Sequence, residues 1–218
     1  CEHIDMPYQD QLKAKQTGIE KLLGGFASPE RIIGMKDPYH YRYKVTGVFI
    51  HKKNGGVVAG NFMEGSHNVV PVSKCYIENL KADEIINTVA KLAESFKVKI
   101  YNEDTGYGLL RYAMVRIGKT TGQIMLVLVT SEPMFPSKNN FVKAIRNIHP
   151  EITTIIQNIN DRTDSMILGK RDEVLFGKGY IEDSLCGMTF RISAHSFYQV
   201  NPVQTELLYK CAVDAAGL

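Results

Sequence analysis

The chain has 218 residues, of which 44% are hydrophobic and 22% are charged, a composition typical of a folded globular protein and not of a disordered one. The formal net charge of +3 permits a polyanionic partner without requiring one. The longest apolar run, 124–129, is too short to cross a bilayer, and the polar opening CEHID does not resemble a signal peptide. These features predict a cytoplasmic protein with no membrane partner.

The first half of the chain alternates between helical and strand-like patterns. Residues 7–23 have apolar side chains at helical spacing, and two glycines follow as a stop. Residues 39–62 contain two β-rich runs around Asn54-Gly55-Gly56, which is a hairpin signal. Residues 82–96 return to a helical period with acidic residues in the first turn. This half therefore predicts a helix, a hairpin and a second helix.

The second half repeats this order. It predicts a hairpin over 109–131, a helix over 137–148, a strand over 152–160, a strand pair over 180–192 and a final helix over 202–216. Hairpins pair antiparallel, and the regular βαβ alternation of a doubly wound sheet is absent from this pattern. The predicted fold class is therefore α+β, with antiparallel hairpins and helices packed on the sheet.

The basic and aromatic residues of YHYRYK, residues 39–44, alternate along the chain. On a strand, His40, Arg42 and Lys44 would share one face, where they could bind phosphates. The alternative is a solvated strand face above a tyrosine-lined core. A second basic strand carries Arg111 and Arg116, which would lie on opposite faces of an unbroken strand, so only one of them can share the face of Arg42.

Six stretches, in this order, resemble the S-adenosylmethionine-dependent RNA uracil-5 methyltransferase family, whose members make 5-methyluridine in ribosomal and transfer RNA. Together they extend over nearly the whole chain. The last of them is the most specific. They read CEHIDMPYQDQLKAKQ, YHYRYK, GSHNVVPVSKC, GLLRYAMVR, NINDRTDSMILG and FRISAHSFYQVNPVQTELLY.

The resemblance implies a domain order. Members of the family commonly contain a small RNA-binding β-barrel, a cysteine-rich central domain and a doubly wound domain that binds S-adenosylmethionine. Residues 1–193 would be the central RNA-binding α+β domain, with 1–23 as a helical region after a cysteine cluster. Residues 194–218 would be a junction segment and the first helix leading to the methyltransferase domain. We therefore expect a fragment whose partners are RNA, with ribosomal RNA favoured over transfer RNA, and the remainder of its own chain.

The resemblance also implies roles for individual residues. Gln199 matches a glutamine that reaches the S-adenosylmethionine site, and Phe197 matches an aromatic residue close to the target base, where a ring can stack on a flipped base. Arg42, Lys44 and Arg111 match basic positions and are predicted to contact RNA phosphates. Two alternatives stay open: Phe197 as plain packing before the last helix, and the basic residues as members of internal ion pairs.

The cysteines of this chain are not expected to catalyse. In the family a cysteine attacks C6 of uracil, and this nucleophile lies in a proline-rich segment that has no match here. Many members also hold a four-iron four-sulfur cluster on four cysteines, of which Cys1 and Cys75 match two, too few to hold a cluster in this chain. We therefore predict that the chain is inactive alone. The alternatives are a stand-alone RNA-binding module and an iron–sulfur scaffold.

Overall fold

The computed structural model describes residue 3, residues 5–52 and residues 55–217. The chain divides into two compact units, Cys1–Pro38 and Tyr39–Leu218. No helix in the described part of the chain is long and apolar enough to span a membrane.

The first unit is built on one helix, α1, which spans Tyr8–Leu23. The segment after the helix folds back along it through two hydrogen bonds. The backbone N–H of Met35 donates to the Tyr8 hydroxyl at 2.7 Å, and the N–H of Ile32 donates to Oε1 of Gln16 at 2.8 Å. Because no residue of α1 is buried, the apolar stripe predicted for this helix remains largely exposed within the unit.

The second unit contains a seven-stranded sheet in the order β3-β2-β1-β4-β5-β6-β7. Neighbouring strands are antiparallel except β5 and β6, which run parallel and are connected through a helix. A separate two-stranded sheet pairs β8 with β9. The strands are β1 Lys44–His51, β2 Val57–Phe62, β3 Val69–Pro71, β4 Leu110–Ile117, β5 Ile124–Thr130, β6 Ile152–Ile159, β7 Arg171–Phe176, β8 Ile181–Leu185 and β9 Met188–Ile192, and the helices are α2 Leu80–Ser95, α3 Lys138–Ile148 and α4 Pro202–Ala216.

The large sheet is covered on both faces, which is why β4 and β5 read as nearly continuous apolar runs. Helices α2 and α3 pack on one face, and α2 approaches β1 closely at Gly47, where a Cβ atom would lie 2.6 Å from the side chain of Ile86. The β8–β9 hairpin covers the other face with Ile181 and Ile192. Its turn has positive φ at Cys186 and at the following glycine, as a tight hairpin requires.

The predicted α+β class and its hairpins are confirmed, with three corrections. The parallel β5–β6 pair and the edge strands β3 and β7 were not predicted. Only Lys44 of YHYRYK lies in β1, because the preceding residues pair with another segment: the N–H of His40 donates to Tyr76 O, and the N–H of Arg42 donates to Ile77 O. The predicted alternation of faces from residue 39 to 43 is therefore wrong.

Candidate functional site

The segment 193–201 leads from β9 into α4 and contains both Phe197 and Gln199. It is fixed to the large sheet near both of its ends. Nη2 of Arg116 donates to the carbonyl oxygens of Ala194 at 3.0 Å and Ser196 at 2.7 Å. The carbonyl of Val200 accepts the backbone N–H of Tyr43 at 2.8 Å. The ends of β1 and β4 thus position this segment.

A third attachment holds the middle of the 193–201 segment. The Tyr198 hydroxyl donates to Oδ2 of Asp183 at 3.2 Å. Asp183 is buried and also accepts the backbone N–H groups of Lys119 at 3.1 Å and Thr120 at 2.8 Å. Burial, followed by the charge of Asp183, raises the pKa of the Tyr198 hydroxyl. It therefore remains a proton donor throughout the neutral pH range.

These attachments fix residues 194, 196, 198 and 200, and the two predicted site residues lie between them. Phe197 is 87% exposed, whereas Gln199 is half-buried. The Phe197 ring is therefore not packed into the interior of the described part of the chain.

Three cations lie beside this segment. Lys44 and Arg116 are directly opposite each other across β1 and β4, and Nε of Arg42 donates to the Lys44 carbonyl at 3.2 Å. Burial lowers the pKa of Arg116 to about 10. Burial also lowers the pKa of Lys44, helped by the charges of Arg116 and Arg42. The lowered pKa of Lys44 indicates that the three positive charges repel one another.

No carboxylate within the described residues forms an ion pair with this cluster. Every ion pair found there within 4.0 Å involves groups other than Arg42, Lys44 and Arg116. In the same part of the chain, the buried Nε of Arg116 has no hydrogen-bond partner. Buried charges in proteins are ordinarily paired, and like charges directly opposite across a sheet are destabilising. The cluster is therefore electrostatically incomplete.

The acid that acts on Arg42 is Glu78, and it is largely protonated below neutral pH. Burial raises the pKa of the Glu78 carboxyl to about 7, together with a side-chain hydrogen bond and repulsion from Asp83. The charge of Arg42 opposes this rise without cancelling it. The Glu78 carboxyl therefore ionises only near neutral pH, and above that pH its negative charge acts on Arg42.

The structure separates Arg111 from the other predicted phosphate contacts. The Arg111 side chain is 0% exposed, and its Nη2 donates to Oε2 of Glu103 at 2.7 Å. Nη1 donates to the carbonyl oxygens of Asn160 at 2.9 Å and Arg162 at 2.6 Å, and the guanidinium lies 4.4 Å from the ring centroid of Tyr101. This geometry favours the internal ion pair for Arg111 over an RNA contact.

The cysteines give no support for a metal site in the described part of the chain. Cys1 lies outside the described residues. Cys75 is half-buried, and its backbone N–H donates to Oδ2 of Asp83 at 2.9 Å. Among the described residues no group of three or more His, Cys, Asp or Glu side chains could hold a metal ion.

Sequence reasoning missed Arg116, Tyr198 and Asp183 as the residues that position the segment. The sequence offers two arginines in one predicted strand, and the pairing of Arg116 with Lys44 in the sheet places Arg116 at the cluster. The Arg116 bonds connect residues far apart in the chain, and no local pattern indicates them.

Comparison with known proteins gives consistent results, although no family profile matches the chain. A Bacillus cereus protein named as an uncharacterized RNA methyltransferase is 36% identical over all of this chain and 48% of its own length. A Clostridium tetani protein of the same name is 39% identical over the same shares. The chain spans about half the length of the curated relatives it matches.

A solved structure has the same fold. It is the Pyrococcus abyssi tRNA (uracil-54, C5)-methyltransferase in complex with S-adenosyl-L-homocysteine, which superposes with a TM-score of 0.77 over 95% of this chain and 48% of the other, at 23% identity. The resemblance to RNA methyltransferases that the motifs predicted is confirmed by the sequence relatives, to which the chain is similar over its whole length.

Proposed function

We propose that the chain is the RNA-contact part of an S-adenosylmethionine-dependent methyltransferase that methylates C5 of a uridine in 23S ribosomal RNA in the cytoplasm. The domain assignment stays as the motifs suggest: residues 1–193 bind RNA, and residues 194–218 lead to the catalytic domain. The relatives support a larger parent protein, because the matching region is only 48% of their length.

The chemistry of this reaction assigns a limited part to the chain. In this reaction a cysteine thiolate would add to C6 of uracil and make C5 nucleophilic, and C5 would take the methyl group that S-adenosylmethionine supplies. A base would then remove the C5 proton as the bond between C6 and the cysteine sulfur breaks and the thiolate leaves. We assign the attacking cysteine to the remainder of the parent protein. The chain contributes groups that bind and orient the RNA and the cofactor.

The observation that carries the proposal is the exposed ring of Phe197 beside an unbalanced cluster of cations. An aromatic surface suits a base, since base–aromatic stacking depends little on sequence, and cations suit the phosphates on either side. Arg42 and Lys44 are the proposed phosphate contacts. Arg111 is left out of this role because its donors are used internally.

The residues present fit a partial contact with S-adenosylmethionine. The amide of Gln199 can donate and accept hydrogen bonds at once, which suits the polar atoms of this cofactor, whose bound form supplies an electrophilic methyl group. Gln199 would hold and orient the cofactor from the RNA side. The described residues do not fit an iron–sulfur cluster, because Cys75 has no further ligands grouped with it there.

Methylation at C5 can be measured directly. RNA carrying tritium at C5 of uridine releases this tritium to water when a methyl group replaces it. We expect the full-length protein containing this chain to release tritium from 23S ribosomal RNA when S-adenosylmethionine is present, and this chain alone to release none. Release from transfer RNA alone would overturn the ribosomal assignment, and release from neither RNA would overturn the uridine chemistry.

RNA contact by the chain itself is tested separately. We expect a structured ribosomal hairpin to bind the 218-residue chain in a salt-sensitive manner and the Arg42→Ala and Lys44→Ala variants to bind less tightly. If the chain binds RNA and the full-length protein that contains it does not methylate RNA, the chain is a stand-alone RNA-binding module. If no hairpin binds at low salt, the chain has no RNA-contact role.

A further inference from the structure

The three cations of the cluster are crowded together, which non-specific electrostatic attraction of RNA does not require. Surface lysines that attract RNA are normally solvated and separate, whereas Lys44 is half-buried and lies directly opposite the buried Arg116. Arg42 is fixed beside them through its bond to the Lys44 carbonyl. Such crowding is unfavourable unless a negative group joins it.

The hydrogen bonds around Arg116 indicate where that negative group would lie. Nη2 of Arg116 is used by the carbonyls of Ala194 and Ser196, so this side of the guanidinium faces the 193–201 segment. The residue after Ser196 is Phe197, whose ring is almost fully exposed. A negative group bound beside Lys44 would therefore lie close to the segment that carries the exposed Phe197 ring.

We infer that Lys44 and Arg116, with Arg42, form a binding site for one RNA phosphodiester group, next to the ring that Phe197 offers to a base. The inference rests on the proposed function and adds to it a discrete site with a third, buried member. Lys44 and Arg42 contact the phosphate oxygens. Arg116 contributes its charge from beneath and holds the segment that carries Phe197.

A phosphodiester explains the site better than a carboxylate from a protein partner. A nucleotide supplies a negative group and a flat apolar base within one residue, which matches a cation cluster adjacent to an exposed ring. The family relationship to RNA methyltransferases independently favours RNA. A protein carboxylate would satisfy the charges and leave the Phe197 ring without a matching partner.

The test compares two lysine variants with RNAs that each have one phosphate replaced by a neutral methylphosphonate. Lys44→Met removes the proposed contact, and Lys91→Met removes the same charge from an exposed position on α2. We expect Lys44→Met to weaken RNA binding about tenfold and to reduce the salt slope by about 0.7–1, whereas Lys91→Met changes binding less than about twofold.

The methylphosphonate series then locates the contact. At one position the neutral linkage should weaken binding to the unchanged chain about tenfold and leave binding to the Lys44→Met chain nearly unaffected. Arg116→Lys keeps the charge and should preserve the salt slope. If Lys44→Met responds like Lys91→Met at every position, the site and the phosphate contact of Lys44 are overturned, while RNA binding by the chain and the methyltransferase function stand.

Failure of the proposed function has a different signature. If no RNA binds any form of the chain, the RNA role falls, and inorganic phosphate then tests the site through thermal unfolding. A larger rise in Tm for the unchanged chain than for Lys44→Met would retain an anion site at this cluster. Equal rises would overturn it, and a carboxylate-bearing partner would be the remaining occupant.

Discussion

The two arginines of β4 have the same chemistry and opposite environments. Arg111 forms a bidentate pair with Glu103, stacks on Tyr101 and uses further donors on backbone carbonyls. Arg116 is also buried, with 4% of its surface exposed, yet it faces the cation Lys44 and lacks a carboxylate among the described residues.

This difference distinguishes a charge that is part of the folded structure from a charge that is reserved for a ligand. An arginine whose donors are all satisfied internally stabilises the fold and has nothing left to offer RNA. An arginine held against like charge is unfavourable in the free protein and becomes favourable when an anion binds. The position of an arginine in a strand does not reveal whether its charge is structural or available to a ligand. The groups that its side chain contacts do reveal it.

The largest expected effect is on stability at the Arg111 end of β4. Arg111→Met should lower the free energy of unfolding by about 3 kcal/mol, because it leaves the partly buried Glu103 carboxylate without its partner. Urea denaturation measures this change. Arg116→Met is the matched variant in the same strand and should cost about 1 kcal/mol, since it leaves carbonyls and no carboxylate behind. Equal losses would remove the distinction between the two arginines.

The next effect is on RNA binding at the exposed ring. Phe197→Ala should weaken RNA binding by about 2 kcal/mol through lost stacking, with unfolding changed by less than about 0.5 kcal/mol. Tyr107→Ala, at another aromatic that is 81% exposed, is the control and should leave binding unchanged. Fluorescence anisotropy with labelled RNA measures binding for both variants, and urea denaturation measures the free energy of unfolding of Phe197→Ala. A large loss of stability in Phe197→Ala would mean that the ring is a packing residue.

A smaller effect concerns the pH dependence of stability near Arg42. The pKa of Glu78 is raised from 4.5 to about 7 in the folded chain, so its contribution is fully present below pH 4.5 and is lost as the pH rises through about 7. Glu78→Gln should therefore stabilise the chain at pH 8, by about 1 kcal/mol after allowance for solvent screening of a half-buried group.

The control for this prediction is Glu64→Gln, at an exposed carboxyl. Urea denaturation at pH 5 and pH 8 should show a smaller difference between the two pH values for Glu78→Gln than for Glu64→Gln. An unchanged difference would mean that the Glu78 proton is not linked to folding.

The smallest expected effect is the relief of repulsion at the Arg116 end. Lys44→Met should stabilise the free chain by about 0.5 kcal/mol at low salt, because it removes one of two like charges opposite each other. High salt should stabilise the unchanged chain and Lys91→Met by screening and have less effect on Lys44→Met. If all three respond equally to salt, Lys44 and Arg116 do not repel one another in solution.

Local pattern was sufficient for much of the fold and for part of the site. The hairpins of β1–β2, β4–β5 and β8–β9 were readable, since a turn and its flanking runs are contiguous in the chain. The parallel β5–β6 pair was not readable, because helix α3 separates the strands and only the assembled sheet brings them together. The short β3 and the charged β7 lie at sheet edges, where alternation is weak.

The same limit applies to the site. Phe197 and Gln199 were found from a motif, whereas Arg116 and Asp183 act through bonds to residues that are distant in the chain or belong to other elements. Arg111 illustrates the converse case, because its motif suggested a ligand contact and only the fold reveals Glu103 beside it. Motifs identify candidate residues, and the assembled contacts separate ligand groups from structural ones.

The most direct test places a fluorescent reporter at the predicted contact. The chain contains no tryptophan, so Phe197→Trp creates a single tryptophan at an exposed position, which can be excited selectively at wavelengths where tyrosine absorbs little. We predict that a ribosomal RNA hairpin quenches this emission, and that adding Lys44→Met shifts the quenching curve to about tenfold higher RNA concentration. If anisotropy shows that RNA binds while the tryptophan emission stays unchanged, the RNA-contact surface is elsewhere and the account is contradicted.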